Sequence, residues 1–287
     1  MATLKVCLAG EGAQGMTHYD GLTGIAGVEV VTLAGGVAED AEQFAAERGI
    51  LHWSLSLEEC LSQDGVECCV LTTPNALHAK QAELCMRMGK HVLIEIPMGM
   101  SLEESERLAE IERSTGLVCM VCHSNRYNPG FREVKRRIET GNLTLHHIVQ
   151  QTYFFRRKNE NRFGKPRTWT DDLLWHQLCH SIDMCFWLLG DPDLEGVFGQ
   201  CGPDHPTLGC PMDITVALRS PRTGVICSLA ASFNNHGPIS NALQPQGPRP
   251  VTFRDCRFRW CILSSGHSHI YIVAQVASTG LSAKRRL

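Results

Sequence analysis

Long apolar runs are missing from this 287-residue chain: none reaches the roughly 20 residues that a membrane-spanning helix needs. Its start, MATLKVCLAGEGAQG, lacks a basic region followed by an apolar core and a cleavage site, so no export signal is expected. A strong charge of either sign is missing too. The formal net charge is −3, which gives no global attraction to nucleic acid or to a membrane surface. The 14 cysteines are scattered rather than framed as in a small secreted scaffold, so reduced thiols and a cytoplasmic location are the expectation. What is present is 43% hydrophobic and 20% charged residues, the balance of a globular chain long enough for one large or two ordinary domains.

One motif runs against this picture. Cys119, Cys122 and His123 form C-x-x-C-H, the pattern that attaches haem in c-type cytochromes. Covalent haem of that type is normally attached after export, and no export signal is visible. A zinc site on the same cysteines would need two further ligands, and no second close pair follows. The plainer alternative is that the apolar run Leu117 to Cys122 is a buried parallel strand with His123 at its end.

The N-terminal half supplies the context. An apolar run, Leu4 to Ala9, leads into Gly10-x-Gly12-x-x-Gly15 and then into a helical stretch around His18 to Leu22. Strand, glycine turn and helix in that order suit a dinucleotide pyrophosphate: the glycines allow a tight turn and close approach, and free N–H groups at the helix start bind phosphate. Gly10, Gly12, Gln14 and Gly15 are therefore candidate cofactor residues. Strand patterns at Val28 to Leu33, Val66 to Leu71, His91 to Ile94 and before His123 alternate with helical patterns at Glu39 to Arg48, Ala76 to Met88 and Leu102 to Ser114. Such alternation predicts a doubly wound parallel sheet over residues 1–122, with ligands beyond the carboxyl ends of its strands. Thr72, Thr73, Asn75, Glu95, Pro97 and His123 fall at such ends.

Where the second strand ends, an acidic residue usually holds the ribose hydroxyls of NAD. Here the sequence reads Leu33-Ala34-Gly35-Gly36-Val37. No acid is present to repel a 2′-phosphate, and no arginine to hold one. The reading leans to NADP and leaves NAD open.

From His123 to Leu287 the texture changes, and a second domain for substrate and oligomerisation is expected. A strand pattern from Val149 to Phe155 runs into Arg156, Arg157, Lys158, Arg162, Lys165 and Arg167, followed by Trp169. This cluster is either a solvated loop or a set of contacts to a substrate with carboxylates, which arginine binds bidentately. Next, His176, His180 and Asp183 share one face if the stretch is an α-helix. Three polar groups on one face of an apolar helix are explained by a metal site, by hydrogen bonding in the core, or by an imidazole base. No metal is expected, because no other ligand cluster is apparent.

The glycine fingerprint, Thr73-Pro74-Asn75-x-x-His78, Glu95-x-Pro97 and His180-x-x-Asp183 together resemble the Gfo/Idh/MocA oxidoreductases, from the N-terminus to about Pro238. The resemblance implies an α/β fold: an N-terminal Rossmann sheet and a C-terminal α+β domain with a large, mostly antiparallel sheet. It also implies His78 among the cofactor residues and a homo-oligomer, dimer or tetramer, through the exposed sheet face. The stretches QTYFFRRKN, RTWTDDLLWHQLCHSIDM and SFNNHGP are similar to one branch of that family. That branch oxidises the cyclic hemiacetal of a carboxylated ring-cleavage semialdehyde with NADP.

Two positions depart from the wider family pattern. The usual Glu-Lys-Pro is Glu95-Ile96-Pro97, and Ile96 cannot carry a proton. The usual aspartate one turn before the catalytic histidine is His176. The resemblance then implies His180 as the base, assisted by His176. A small dicarboxylate substrate would meet His123, Arg126, Arg156, Arg157, Lys158, Arg167 and Trp169. Beyond Asn241 the chain has one acid, Asp255, against seven Lys or Arg. This tail, 241–287, is expected to depart from the family through a shifted reading frame or a truncation, which would leave the second sheet incomplete. Two other functions stay open: a sugar or cyclic-alcohol dehydrogenase of the same family, and a non-catalytic dinucleotide sensor.

Overall fold

The computed structural model describes residues 3–153, 155–156, 158–161, 164–167 and 172–234, and beyond these the strands at Ser240–Leu243, Pro250–Thr252, Arg259–Ser265 and His269–Ala277. The chain divides into two compact units: Met1–Cys122 with Asn159–Trp169, and His123–Lys158 with Thr170–Leu287.

The first unit is built on six parallel strands: β1 (Leu4–Ala9), β2 (Val28–Ala34), β3 (His52–Ser54), β4 (Val66–Leu71), β5 (His91–Ile94) and β6 (Cys119–Val121). Their order is β3-β2-β1-β4-β5-β6, so the chain reverses its direction of travel between β1 and β4. Between them run α1 (Ala13–Thr23), α2 (Ala38–Arg48), α3 (Leu57–Leu61), α4 (Asn75–Arg87) and α5 (Leu102–Thr115). The pleat explains the two-sided core. Val6 and Leu8 of β1 pack on one face with Phe44 and Ala41 of α2, while Cys7 and Ala9 pack on the other with Ala82 and Met86 of α4. Helix ends follow local chemistry: the Ser101 side chain accepts the Glu104 N–H at the start of α5, and Gly116 closes it in the left-handed region.

The apolar run before His123 is a parallel strand but not a buried one. β6 is the edge of the sheet, paired only with β5, and Cys119–Val121 are half-buried. An edge strand has a neighbour on one side alone, so apolar composition did not translate into burial.

The second unit opens with a short 3-10 turn, Ser124–Tyr127, and α6 (Pro129–Glu139), whose start is capped by Asn128. Its sheet contains β7 (His147–Tyr153), β8 (Glu195–Cys201), β9 (Asp213–Arg219), β10 (Ile226–Ser232), and the strands β11 (Ser240–Leu243), β12 (Pro250–Thr252), β13 (Arg259–Ser265) and β14 (His269–Ala277). The order is β12-β13-β14-β11-β7-β10-β9-β8, with β7 and β10 parallel and the other neighbours antiparallel. Three strands of the atypical tail thus continue the sheet.

Burial alternates along β7 and β10. Ile148, Gln150 and Thr152, with Cys227, Leu229 and Ala231, face inward. There they meet α6 and the helical segment formed by a π-helical turn, Leu174–Leu178, and α7 (Cys179–Leu189), through Phe131, Leu178, Met184 and Leu188. The other face of β7–β10 carries no such layer among the described residues.

Candidate functional site

In the first unit the chemistry gathers where the chain leaves β1 and β4. Gly10 has φ +106°, and a Cβ there would lie 2.6 Å from the Thr72 hydroxyl and 2.8 Å from the Thr72 carbonyl oxygen. A Cβ on Gly15 would lie 1.9 Å from the Gly10 carbonyl oxygen. Both glycines are therefore required by the protein's own packing. Gly12 differs: a Cβ there would meet no protein atom within 4 Å. It stands at the start of α1, whose first turn has no side-chain cap. That open space beside uncapped N–H groups fits a pyrophosphate. Thr72 ties the two strand ends together, its hydroxyl donating to the carbonyls of Ala9 (2.8 Å) and Gly10 (3.2 Å). Gln14 is exposed in the first turn of α1.

Glu11, inside the glycine loop, was given no role by the sequence. Its carboxylate accepts hydrogen bonds from the Gly36 N–H (3.0 and 3.1 Å) and the Val37 N–H (3.0 Å), at the exit of β2. An acid does stand where the second strand ends, delivered from the first loop.

His78, expected among the cofactor residues, is engaged by the protein's own backbone. It is 2% exposed, and its ring nitrogens lie 2.7 Å from the carbonyl oxygens of Pro97 and Thr73. It clips the loops after β4 and β5 together. Thr73 hydrogen-bonds the Gln81 side chain, and Asn75 is buried as the first residue of α4. Ile96, standing where the family has lysine, is 8% exposed and packed away.

Glu95 follows β5 and meets His18 of α1, Nε2 to Oε1 2.7 Å. Burial pushes the Glu95 carboxyl up, but the His18 hydrogen bond and charge, with the Ile96 N–H and the Cys122 thiol, outweigh it and hold the group below the usual carboxylate range. The Cys122 thiol is pushed up to about 12 by burial and then by the Glu95 charge. The donor atoms of His18, Glu95 and Cys122 lie within 4.8 Å of one another, a grouping that could hold a metal ion.

In the second unit two side chains, Arg126 and His123, approach one carboxylate, and His180 packs against the second of them. Asp183, on α7, is 8% exposed. Arg126 grips it with two bonds, Nε to Oδ2 at 2.9 Å and Nη2 to Oδ1 at 2.5 Å. His123 Nε2 lies 3.7 Å from Asp183 Oδ1. The His123 and His180 rings meet edge to face, centroids 6.2 Å apart at 82°. The predicted base, the strand-end histidine and Arg126 thus belong to one constellation with Asp183 at its centre. His176 lies on the π-helical turn before α7, half-buried, rather than on the same continuous α-helix as His180. The shared α-helical face expected for His176, His180 and Asp183 is not formed, because a π turn takes more residues per revolution. Asp172 fixes that turn by accepting the N–H groups of Leu174 (2.7 Å) and Trp175 (3.3 Å).

The cationic stretch is divided between the two units. Arg156 lies in the second unit with its guanidinium 5.6 Å from the centre of the Phe233 ring, and Lys158 is exposed there. Arg167 belongs to the first unit, in a short hairpin whose Arg167 N–H donates to the Asn159 carbonyl at 2.8 Å. Burial lowers its pKa, as for any desolvated cation. Arg157 and Trp169 lie outside the described residues.

Residues 4–123 match the family model described as the oxidoreductase family with NAD-binding Rossmann fold, GFO_IDH_MocA. Residues 129–247 match the C-terminal domain of bacterial oxidoreductases. Over 236 residues, 82% of this chain and 74% of the relative, the sequence is 44% identical to 4-carboxy-2-hydroxymuconate-6-semialdehyde dehydrogenase of Sphingobium sp. (strain NBRC 103272 / SYK-6). It is 31% identical over 141 residues, 49% of this chain and 41% of the relative, to the scyllo-inositol 2-dehydrogenase (NAD(+)) of Bacillus subtilis (strain 168). Among solved structures, GenD2 from gentamicin A biosynthesis in complex with NAD superposes with a TM-score of 0.77 at 19% identity, over 96% of this chain and 73% of that one. The WlbA dehydrogenase from Bordetella pertussis gives 0.75 at 23%, over 86% and 72%. These two likenesses speak for the fold.

Proposed function

The chain belongs to the Gfo/Idh/MocA oxidoreductases and is a dehydrogenase, and from that premise we propose that it oxidises the cyclic hemiacetal of 4-carboxy-2-hydroxymuconate-6-semialdehyde to 2-pyrone-4,6-dicarboxylate. The observation that carries this reading is the His123–Arg126–His180–Asp183 constellation, in a chain 44% identical to a dehydrogenase named for that semialdehyde.

The nicotinamide supplies the hydride acceptor when bound, held by Gly10, Gly12, Gly15 and the strand-end residues Thr72, Thr73, Asn75, Glu95 and Pro97. His180 takes the hydroxyl proton as the hemiacetal C–H leaves as hydride, so the carbon becomes the lactone carbonyl. His123, with a ring nitrogen near Asp183, fixes the neighbouring ring. His176 assists the proton's departure. No lysine is needed, which suits the buried Ile96.

Two of the five N–H donors of Arg126 are engaged by Asp183, leaving others to receive a substrate carboxylate. Arg156, Arg157, Lys158, Arg167 and Trp169 complete the proposed contacts to a dicarboxylate. The sequence leaned to NADP as acceptor, and two Bacillus subtilis relatives are named one for NAD(+) and one for NADP(+). A cytoplasmic homo-oligomer is part of the same reading.

The test is absorbance at 340 nm with the 4,5-cleavage product of protocatechuate, generated in place by a dioxygenase. Cofactor reduction with formation of the pyrone dicarboxylate is the expected result, falling about a hundredfold or more in His180→Ala. Turnover of inositols or sugars in place of the semialdehyde would overturn the substrate assignment.

A further inference from the structure

We infer that Glu11 makes this enzyme select NAD over NADP, reversing the lean that the sequence alone gave. That lean rested on the absence of an acid in Gly35-Gly36-Val37. In this fold the adenine-side ribose is received where the second strand ends, and its 2′ substituent is read there. The Glu11 carboxylate occupies that place. It already takes the N–H groups of Gly36 and Val37, at 3.0 to 3.1 Å. A 2′-phosphate would find those backbone donors engaged and a negative charge beside them. A 2′-hydroxyl can donate to the same carboxylate.

The surrounding charges point the same way. The first turn of α2 carries Glu39 and Asp40. Lys165 approaches that turn, but its ammonium is held by the Asp40 carboxylate at 2.8 Å. Among the described residues, the three carboxylates of Glu11, Glu39 and Asp40 with the paired Lys165 form an unfavourable setting for a phosphate dianion, and specificity arises from such repulsion as much as from attraction. The inference rests on the dinucleotide binding of the family and not on the substrate proposed above.

The test needs no substrate. NADH and NADPH are titrated separately onto the whole chain, following energy transfer from tryptophan to the bound nicotinamide. NADH is expected to bind at least about tenfold more tightly than NADPH at low salt, because like charges brought together oppose binding. Added salt should narrow that ratio by weakening NADH less than it relieves NADPH. Glu11→Gln, which keeps the shape and an acceptor oxygen, and Glu11→Ala, which frees the two N–H groups, should each bring the ratio towards one. Equal affinities in the natural chain, tighter NADPH, or a preference untouched by salt and by both substitutions would each overturn the inference. A clear NADH preference in a chain that ignores the semialdehyde would leave this inference standing and remove the substrate reading.

Discussion

At the scale of single residues, Asp183 is the position on which the proposed chemistry depends without touching the reacting atoms. It is buried, it accepts two bonds from Arg126, and it lies 3.7 Å from His123. Asp183→Asn would replace one acceptor oxygen with a donor and break the bidentate match to the guanidinium. The expected outcome is a kcat loss of about ten to a hundredfold, the usual cost of removing a group that orients a functional side chain. The pH profile should shift as well, and nucleotide affinity in the absence of substrate should stay unchanged. A variant with a normal kcat and pH profile would reduce Asp183 to a structural anchor. The sequence brought His180 and Asp183 into view through their i, i+3 spacing, but His123 and Arg126 stand more than fifty residues earlier, at and within the 3-10 turn that opens the second unit. Only the fold brings them to the same carboxylate. Glu11 was hidden for a similar reason: its partners are backbone N–H groups 25 and 26 residues away, and backbone donors have no sequence signature.

At the scale of elements, the glycine loop separates two kinds of necessity. Gly15 is required by the fold, since its Cβ would lie 1.9 Å from the Gly10 carbonyl oxygen. Gly12 is free of such conflict. Gly15→Ala should therefore lower stability by about 1–3 kcal/mol, the range for overpacking a tight site, measured by urea denaturation. Gly12→Ala should unfold like the natural chain while binding NADH at least about tenfold more weakly, because its methyl group enters the space allotted to the pyrophosphate. Normal nucleotide affinity in Gly12→Ala would remove the loop from the cofactor site.

Most elements of the first unit were legible because their strands are short, apolar and closed by a turn, whereas β3 (His-Trp-Ser) and the five-residue α3 were missed because they are too short to show a period. The π-helical turn at Leu174–Leu178 was not. Its residues are good helix formers, and nothing in LWHQL distinguishes 3.6 from a wider turn before Asp172 is seen holding the Leu174 and Trp175 N–H groups.

At the scale of the whole molecule, the sequence led to the expectation of two contiguous domains meeting after Cys122, and nothing in it signalled the assignment of Asn159–Trp169 to the first unit. That segment is held to the first unit by Lys165 on Asp40, a contact across 125 residues of sequence, and closed on itself by the pairing of Asn159 with Arg167. The second unit raises a different question through its sheet. Its registers place Val149, Ser228, Ala217 and Phe198 in one row, and His147, Ile226, Arg219 and Glu195 in another. Both rows lie opposite the face that Leu229 and Cys227 bury. Phe198 and Ile226 are 56% and 51% exposed there.

A sheet face with Phe198 and Ile226 exposed beside the opposite charges of Arg219 and Glu195 is a surface suited to a second copy, and a stable pair needs about 1,200 Å² or more of buried area. Phe198 sits at the bulge in β8, where the register shifts and the strand turns its side chain outward. Phe198→Asp should therefore reduce the mass measured by light scattering to that of one chain, with NADH affinity retained because the nucleotide loop is in the other unit. A natural chain already monomeric at micromolar concentration, or an assembly unmoved by Phe198→Asp, would show that copies of this chain do not meet through the open face.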